Sequence, residues 1–285
     1  MKTHTASPQG NEVIIGDNLP TVLIGERINP FGKGILKEAM KAGDMEPIRQ
    51  EARRQVEAGA DILMISVAAF GLDEEAVLPR VTEAVIKTVD VPLCLESRNP
   101  AALEKALQLG CGKPIISSVT GEEQLIEQIL PLVKTYHTAV VLLASDENGI
   151  PREPQKRIDI INGILKRAEA LGIPREDILV DCVAESSAVS DQAVSITLET
   201  MAGLKIELGL NLVLGASNVS FGLPKRTIIN SVFLSLAISA GLNCAIVDAA
   251  RMKPTILAAD LLLGRDPRAR RYTAYFRKLK SASVS

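Results

Sequence analysis

The chain has 285 residues, 47% of them hydrophobic, and a net charge of -2 with acids and bases interspersed. That is enough apolar material for one large α/β domain or two small ones, and the charge balance argues against nucleic acid as a partner. Aromatics make up 3% and Trp is absent, so Ala, Ile, Leu and Val must fill the core, as in barrels and doubly wound sheets.

Residues 1–11 read as a disordered tail that lacks the apolar run of a secretory signal. Residues 12–20 read as a hairpin feeding a first buried strand at 21–25. Further short apolar runs stand at 62–65, 91–95, 114–116, 139–143, 178–180, 212–214 and 244–247. Helical spacing fills 45–58, 74–88, 100–109, 122–135, 154–171, 192–208, 227–240 and 255–263. A basic tail follows from Arg265 to Lys280, and its residues 268–271 read as a solvated helix face. The most apolar segment, 231–247, is broken by Gly241, Leu242 and Asn243, so it reads as helix, turn and strand and not as a membrane span.

Eight apolar strands joined by helical crossovers mean repeated βα units and a parallel sheet. In a domain of this size they predict a closed (β/α)₈ TIM barrel over residues 12–285, with the 12–20 hairpin closing its bottom. A doubly wound open sheet is the alternative, but no GxGxxG follows the first strand. The strands end on Glu26, Ser66, Glu96, Ser117, Ser145, Asp181, Asn218 and Asp248. In a barrel such ends converge on one mouth.

Several of these ends carry a functional argument. Asp181 is a helix cap or a ligand acceptor, and the next helix starts only near Ser190, which favours the ligand. Glu96 lies close to Pro100 and is a stronger candidate for a cap. Residues 212–231, LVLGASNVSFGLPKRTIINS, read as a strand that opens at Gly215 into a polar loop and then a helix. That loop offers the Asn218 amide, the Ser217 and Ser220 hydroxyls and the Arg226 cation. It suits a polar heterocycle or an anionic tail and cannot hold zinc or an activated nucleophile. Read alone, it also fits a Gly-rich turn before a capped helix.

Other chemistries fit poorly. Glycoside hydrolysis wants stacking aromatics, and the chain has five Phe, three Tyr and no Trp. Neither His4, in the tail, nor His137, before a strand, is placed as a general base, and no metal site is expected. Cys94, Cys111, Cys182 and Cys244 form no CxxC pair and read as reduced core thiols of a cytoplasmic protein.

Residues 22–29 (VLIGERIN), 91–99 (VPLCLESRN), 178–181 and 214–224 (LGASNVSFGLP) resemble the pterin-binding methyltransferases. These include the methyltetrahydrofolate:corrinoid protein methyltransferases and the folate module of methionine synthase, which share a barrel with dihydropteroate synthase. The likeness runs over roughly residues 20–265. It implies a dihydropteroate synthase-like barrel that moves a methyl group between tetrahydrofolate and the cobalt of cobalamin carried by a partner corrinoid protein. It implies that Glu96, Ser117 and Asp181 bind the pterin, that Asn218 binds the pterin and acts at its N5, and that Arg226 contacts the folate. It also implies a homodimer paired through outer helices. Family members usually carry Asp where Glu96 stands, Asn where Ser117 stands, and Asp-x-Asn where Met64, Ile65 and Ser66 stand. These departures leave open a pterin-binding barrel of altered specificity, non-catalytic or dihydropteroate synthase-like.

Overall fold

The computed structural model describes residues 1–31 and 34–282. Residues 32–33, and the last three residues of the expected 12–285 domain, lie outside the described residues. The chain opens with strands β1 (Lys2–Ala6) and β2 (Glu12–Gly16). Eight βα units follow. The strands are β3 (Val22–Ile28), β4 (Ile62–Ser66), β5 (Leu93–Glu96), β6 (Ile115–Val119), β7 (Ala139–Leu143), β8 (Ile178–Asp181), β9 (Asn211–Gly215) and β10 (Cys244–Val247). The helices are α1 (Gly34–Ala42), α2 (Glu46–Glu57), α3 (Glu74–Ile86), α4 (Pro100–Leu107), α5 (Glu123–Tyr136), α6 (Pro154–Ala170), α7 (Ala193–Glu207), α8 (Arg226–Ser239), α9 (Ala249–Leu262) and α10 (Arg270–Ala282). Strands β3 to β10 pair in parallel in sequence order, and β10 closes on β3.

The closed barrel explains why its strands read as unbroken apolar runs. Successive side chains point to opposite faces, and both faces are covered. Leu63, Ile65, Leu95, Val140, Val180 and Leu214 face the helices in one buried layer. Ile24, Ile62, Met64, Cys94, Val141, Leu179 and Val213 fill the interior in another. Extending the inward period by two residues brings Glu26, Glu96 and Asp181 to the top of that interior. The ladder sets their height, with Ser66 opposite Glu96, Glu96 opposite Ser117, and Leu143 opposite Asp181.

The N-terminus corrects two expectations. Residues 1–11 are not a disordered tail. Strand β1 pairs antiparallel with β2, Lys2 opposite Gly16 and Ala6 opposite Glu12. The hairpin is therefore built from 2–16, and not from 12–20 folding onto the first barrel strand. Thr3 and Thr5 are buried, an alternation that counting Thr as polar conceals. The Asn211 amide donates to Thr3 Oγ1 at 3.0 Å and to the Ile15 carbonyl at 3.1 Å, tying the hairpin to the base of β9. Ala6 and Lys113 exchange backbone hydrogen bonds just before β6. Gly112 permits this approach, because its φ is 75° and a Cβ there would stand 2.4 Å from the Ala6 carbonyl oxygen. The hairpin thus closes the end of the barrel opposite the polar strand ends.

Helix α1 was not expected at all, and α9 departs most from its expected bounds. Helix α9 begins at Ala249 and carries Pro254 inside it, six residues before the start read from the sequence. The basic tail forms α10. Among the described residues no helix is long and apolar enough to cross a membrane.

Candidate functional site

The C-terminal ends of the barrel strands enclose a cavity of about 470 Å³, within the usual range for a small-molecule site. Glu96, Ser117, Asp181, Asn218 and Arg226 all line it, so the structure brings together the five residues singled out in the sequence. Glu26, Arg27, Asn29, Phe31 and Met64 line it as well. Of these, Glu26 stands out as a third inward carboxylate. Its signal was the two-residue period Val22, Ile24, Glu26, carried one step past the apolar run.

Asp181 ends β8, but it does not cap a helix. The residue before α7 is Gln192. Instead, Asp181 Oδ1 accepts the Val183 N–H at 2.7 Å and Oδ2 accepts the Gly215 N–H at 3.3 Å. Val183 sits at a φ of 63°, an outlier for a β-branched residue. It is held there from several sides. Its carbonyl accepts from Arg157 at 2.8 Å and from the Thr197 hydroxyl at 3.0 Å. The wholly buried Arg157 also donates to the Pro151 and Cys182 carbonyls and pairs with Glu185. A planar fork with five donors suits this role. Burial pushes the Asp181 carboxyl up to about 6, against the pull of the two backbone N–H groups and of the Arg157 charge.

Glu96 does not cap α4 either, since Asn99 takes that place by accepting from Ala101 and Ala102. Burial raises the Glu96 carboxyl above its ordinary value, while a hydrogen bond from Ser66 opposes the rise. Glu26 is raised for the same reason, with Ser217 opposing and Asp248 reinforcing. The cavity thus holds three carboxylates that burial drives toward their neutral forms. A ligand that presents N–H groups would compensate them.

The polar loop after β9 forms a 3₁₀ turn, Ala216–Ser220. In it Asn218 is exposed while Ala216, Val219 and Ser220 are buried. The Ser217 hydroxyl donates to Glu26 Oε1 at 2.7 Å. Arg226 donates to the Ser217 carbonyl at 2.7 Å and to Ser220 Oγ at 3.0 Å. Lys225, not Asn218, precedes α8. Asn218 therefore does not cap the helix, and it lines the cavity instead. The loop after β8 braces the turn, with the Ser187 N–H donating to the Val219 carbonyl at 2.9 Å. The other expected strand ends divide. Ser66 supports Glu96 from the neighbouring strand, Asp248 pairs with Arg27 at 3.4 Å, and neither lines the main cavity.

A closed parallel barrel with a carboxylate-lined cavity at its mouth defines a ligand-binding barrel of the kind enzymes use. Residues 25–248 match the family model of the pterin binding enzymes, and the chain belongs to that family. It is 29% identical over 269 residues to a methylcorrinoid:tetrahydrofolate methyltransferase of Eubacterium limosum, covering 92% of this chain and 98% of that protein. It is 30% identical over 249 residues to the methionine synthase of Mycobacterium leprae (strain TN), but that match covers 82% of this chain and only 21% of the relative. Among solved structures it is similar to a dihydropteroate synthase of Coxiella burnetii in complex with pteroic acid. The TM-score is 0.68 at 17% identity, over 92% of this chain and 99% of that one. A dihydropteroate synthetase solved with its product gives a TM-score of 0.70 at 16% identity, over 92% of this chain and 100% of the other. Identities this low show a shared fold.

Proposed function

We propose that this protein is a methyltransferase that moves a methyl group between tetrahydrofolate and the cobalt of a corrinoid carried by a partner protein. The observation that carries this reading is the juxtaposition of Asn218 with the buried carboxylates Glu96 and Asp181 in one cavity. The aminopyrimidinone edge of a pterin presents N–H donors, and carboxylates accept them. At the other end of the ring system, N5 bears the methyl and is a poor leaving group. A side-chain amide aimed at N5 stabilises the electron density that develops there as the methyl departs. In this reading Glu96, Ser117 and Asp181 hold the pterin, Arg226 contacts the folate, and Asn218 acts on N5.

The named relative from Eubacterium limosum supports the same reaction class. The rim supports a protein partner. Phe31, Phe70 and Phe221 are 72%, 95% and 70% exposed on loops that follow barrel strands, and Phe31 lines the cavity itself, so exposed apolar groups stand on the mouth side where a partner would dock. A homodimer is part of the proposal too. Ile228, Val232 and Leu236 form an exposed apolar stripe on α8, beside Leu262 of α9. Light scattering at micromolar concentration checks it, and a monomer contradicts it. The four cysteines are free and buried, which fits the proposed cytoplasmic setting.

Met64 in the cavity wall, with serines at positions 66 and 117, supports the second reading, a pterin-binding barrel of altered specificity. Calorimetric titration with 5-methyltetrahydrofolate separates the two. Saturable binding is expected, and none at millimolar concentration favours the second reading.

A further inference from the structure

We propose that Glu26 is the positioning residue for Asn218, acting through the Ser217 hydroxyl, so that it controls the rate of methyl transfer more than the affinity for the pterin. This rests on the methyl-transfer reading above. The end of β3 is built to aim Glu26 inward. Its register against β4 shifts between Gly25 and Ile28. Gln55 of α2, itself buried, accepts the Arg27 N–H at 2.9 Å and pins that irregularity. Gly25 makes room for it, because a Cβ there would stand 2.4 Å from Gln55 Oε1.

Ser217 is consequently held from two sides. Glu26 takes its hydroxyl at 2.7 Å, and Arg226 takes its carbonyl at 2.7 Å. Asn218 is the next residue, and its amide nitrogen lies 3.1 Å from where a Gly215 Cβ would be. The strand end behind Asn218 thus carries no side chain, and the turn's own anchors at Ser217 and Ser220 must set the direction of the amide. Misplacing a reacting group by about 1 Å can cost on the order of a hundredfold in rate.

The test compares Glu26→Ala, Ser217→Ala, the double variant and Glu26→Gln, all checked for unchanged melting behaviour. Single-turnover methyl transfer from 5-methyltetrahydrofolate to cob(I)alamin should fall about tenfold or more in each alanine variant, with pterin affinity within about threefold of wild type. The double variant should be no slower than the worse single, because both remove one interaction. Glu26→Gln, which keeps an acceptor, should recover most of the rate. Amide hydrogen exchange over 216–221 in the ligand-free protein should quicken in both alanine variants. Unchanged exchange overturns the proposal. So does a Glu26→Ala variant that loses pterin affinity tenfold while Ser217→Ala is silent. A wild-type protein that transfers no methyl group overturns the methyl-transfer reading instead, and exchange still decides the clamp.

Discussion

The carboxylate of Asp181 accepts the backbone N–H of Gly215 at 3.3 Å, so the residue that ends β8 also fixes the start of the turn that presents Asn218. The group assigned to hold the pterin and the group assigned to act on it are thus linked through one hydrogen bond. Perturbing either residue should still separate binding from chemistry, because the proposed function puts the two at opposite parts of the pterin.

Asn218→Ala should slow methyl transfer by on the order of a hundred- to a thousandfold, about 2.7–4 kcal/mol of barrier, with a smaller effect on pterin affinity. Rapid-mixing single turnovers and calorimetry on the same preparation check this. If Asn218 only held its loop, the variant would lose about 1 kcal/mol of stability and keep its turnover.

Asp181→Asn should act on binding and on the pH dependence of stability. Burial raises this carboxyl to about 6 from its ordinary 3.8. Between those values the folded protein holds a proton that the unfolded chain has released, so stability falls as pH rises through the window. The asparagine variant has no such titration. Its melting temperature relative to wild type should therefore climb between about pH 4 and 7, while its pterin affinity drops. A relative melting temperature that is flat with pH contradicts the assignment. Wild-type pterin affinity should weaken as pH falls below about 6, where the acceptor is lost.

Gly215→Ala tests the space above β9. The added methyl group would meet Asn218 Nδ2 at 3.1 Å, and β9 is otherwise undisturbed. The expected outcome is a folded protein that binds pterin and transfers methyl slowly, read from the same two assays. Wild-type turnover would mean that the amide needs no defined position.

Gly112→Ala separates stability from function. A side chain there clashes with the Ala6 carbonyl and the Ser7 backbone, at a φ that glycine alone adopts cheaply. It should lower stability by about 1–3 kcal/mol by loosening the hairpin at the barrel base. Chemical denaturation measures the loss. Pterin affinity should hold, since the cavity lies at the opposite end.

The barrel was legible because its signal repeats. Each apolar run ends on a polar residue and is followed by helical spacing, and the closed sheet covers both faces of every strand. The same logic located Glu96, Ser117 and Asp181, whose positions follow from the inward period. It failed where composition disguises pattern. Thr3 and Thr5 look like a polar tail, yet their alternation buries both, Thr3 against Asn211 of β9 and Thr5 on the Val13 carbonyl of β2. The start of α9 was misread because Pro254 looks like a boundary, although it falls within the helix. Glu26 was visible as a strand end, but its partnership with Ser217 joins residues far apart in the chain and needs the closed barrel to be seen. The role of Arg157 was hidden similarly, as one of many basic residues on a helix until its burial beneath the Asp181 loop is known.

The proposed reaction is the transfer of a methyl group between a pterin and cobalt at this cavity. Stopped-flow absorbance of the purified protein mixed with 5-methyltetrahydrofolate and cob(I)alamin tests it most directly. The cob(I)alamin band should decay into the methylcobalamin spectrum in a protein-dependent reaction that Asn218→Ala slows at least a hundredfold. Saturable pterin binding with no decay of the cob(I)alamin band above the protein-free control would contradict it.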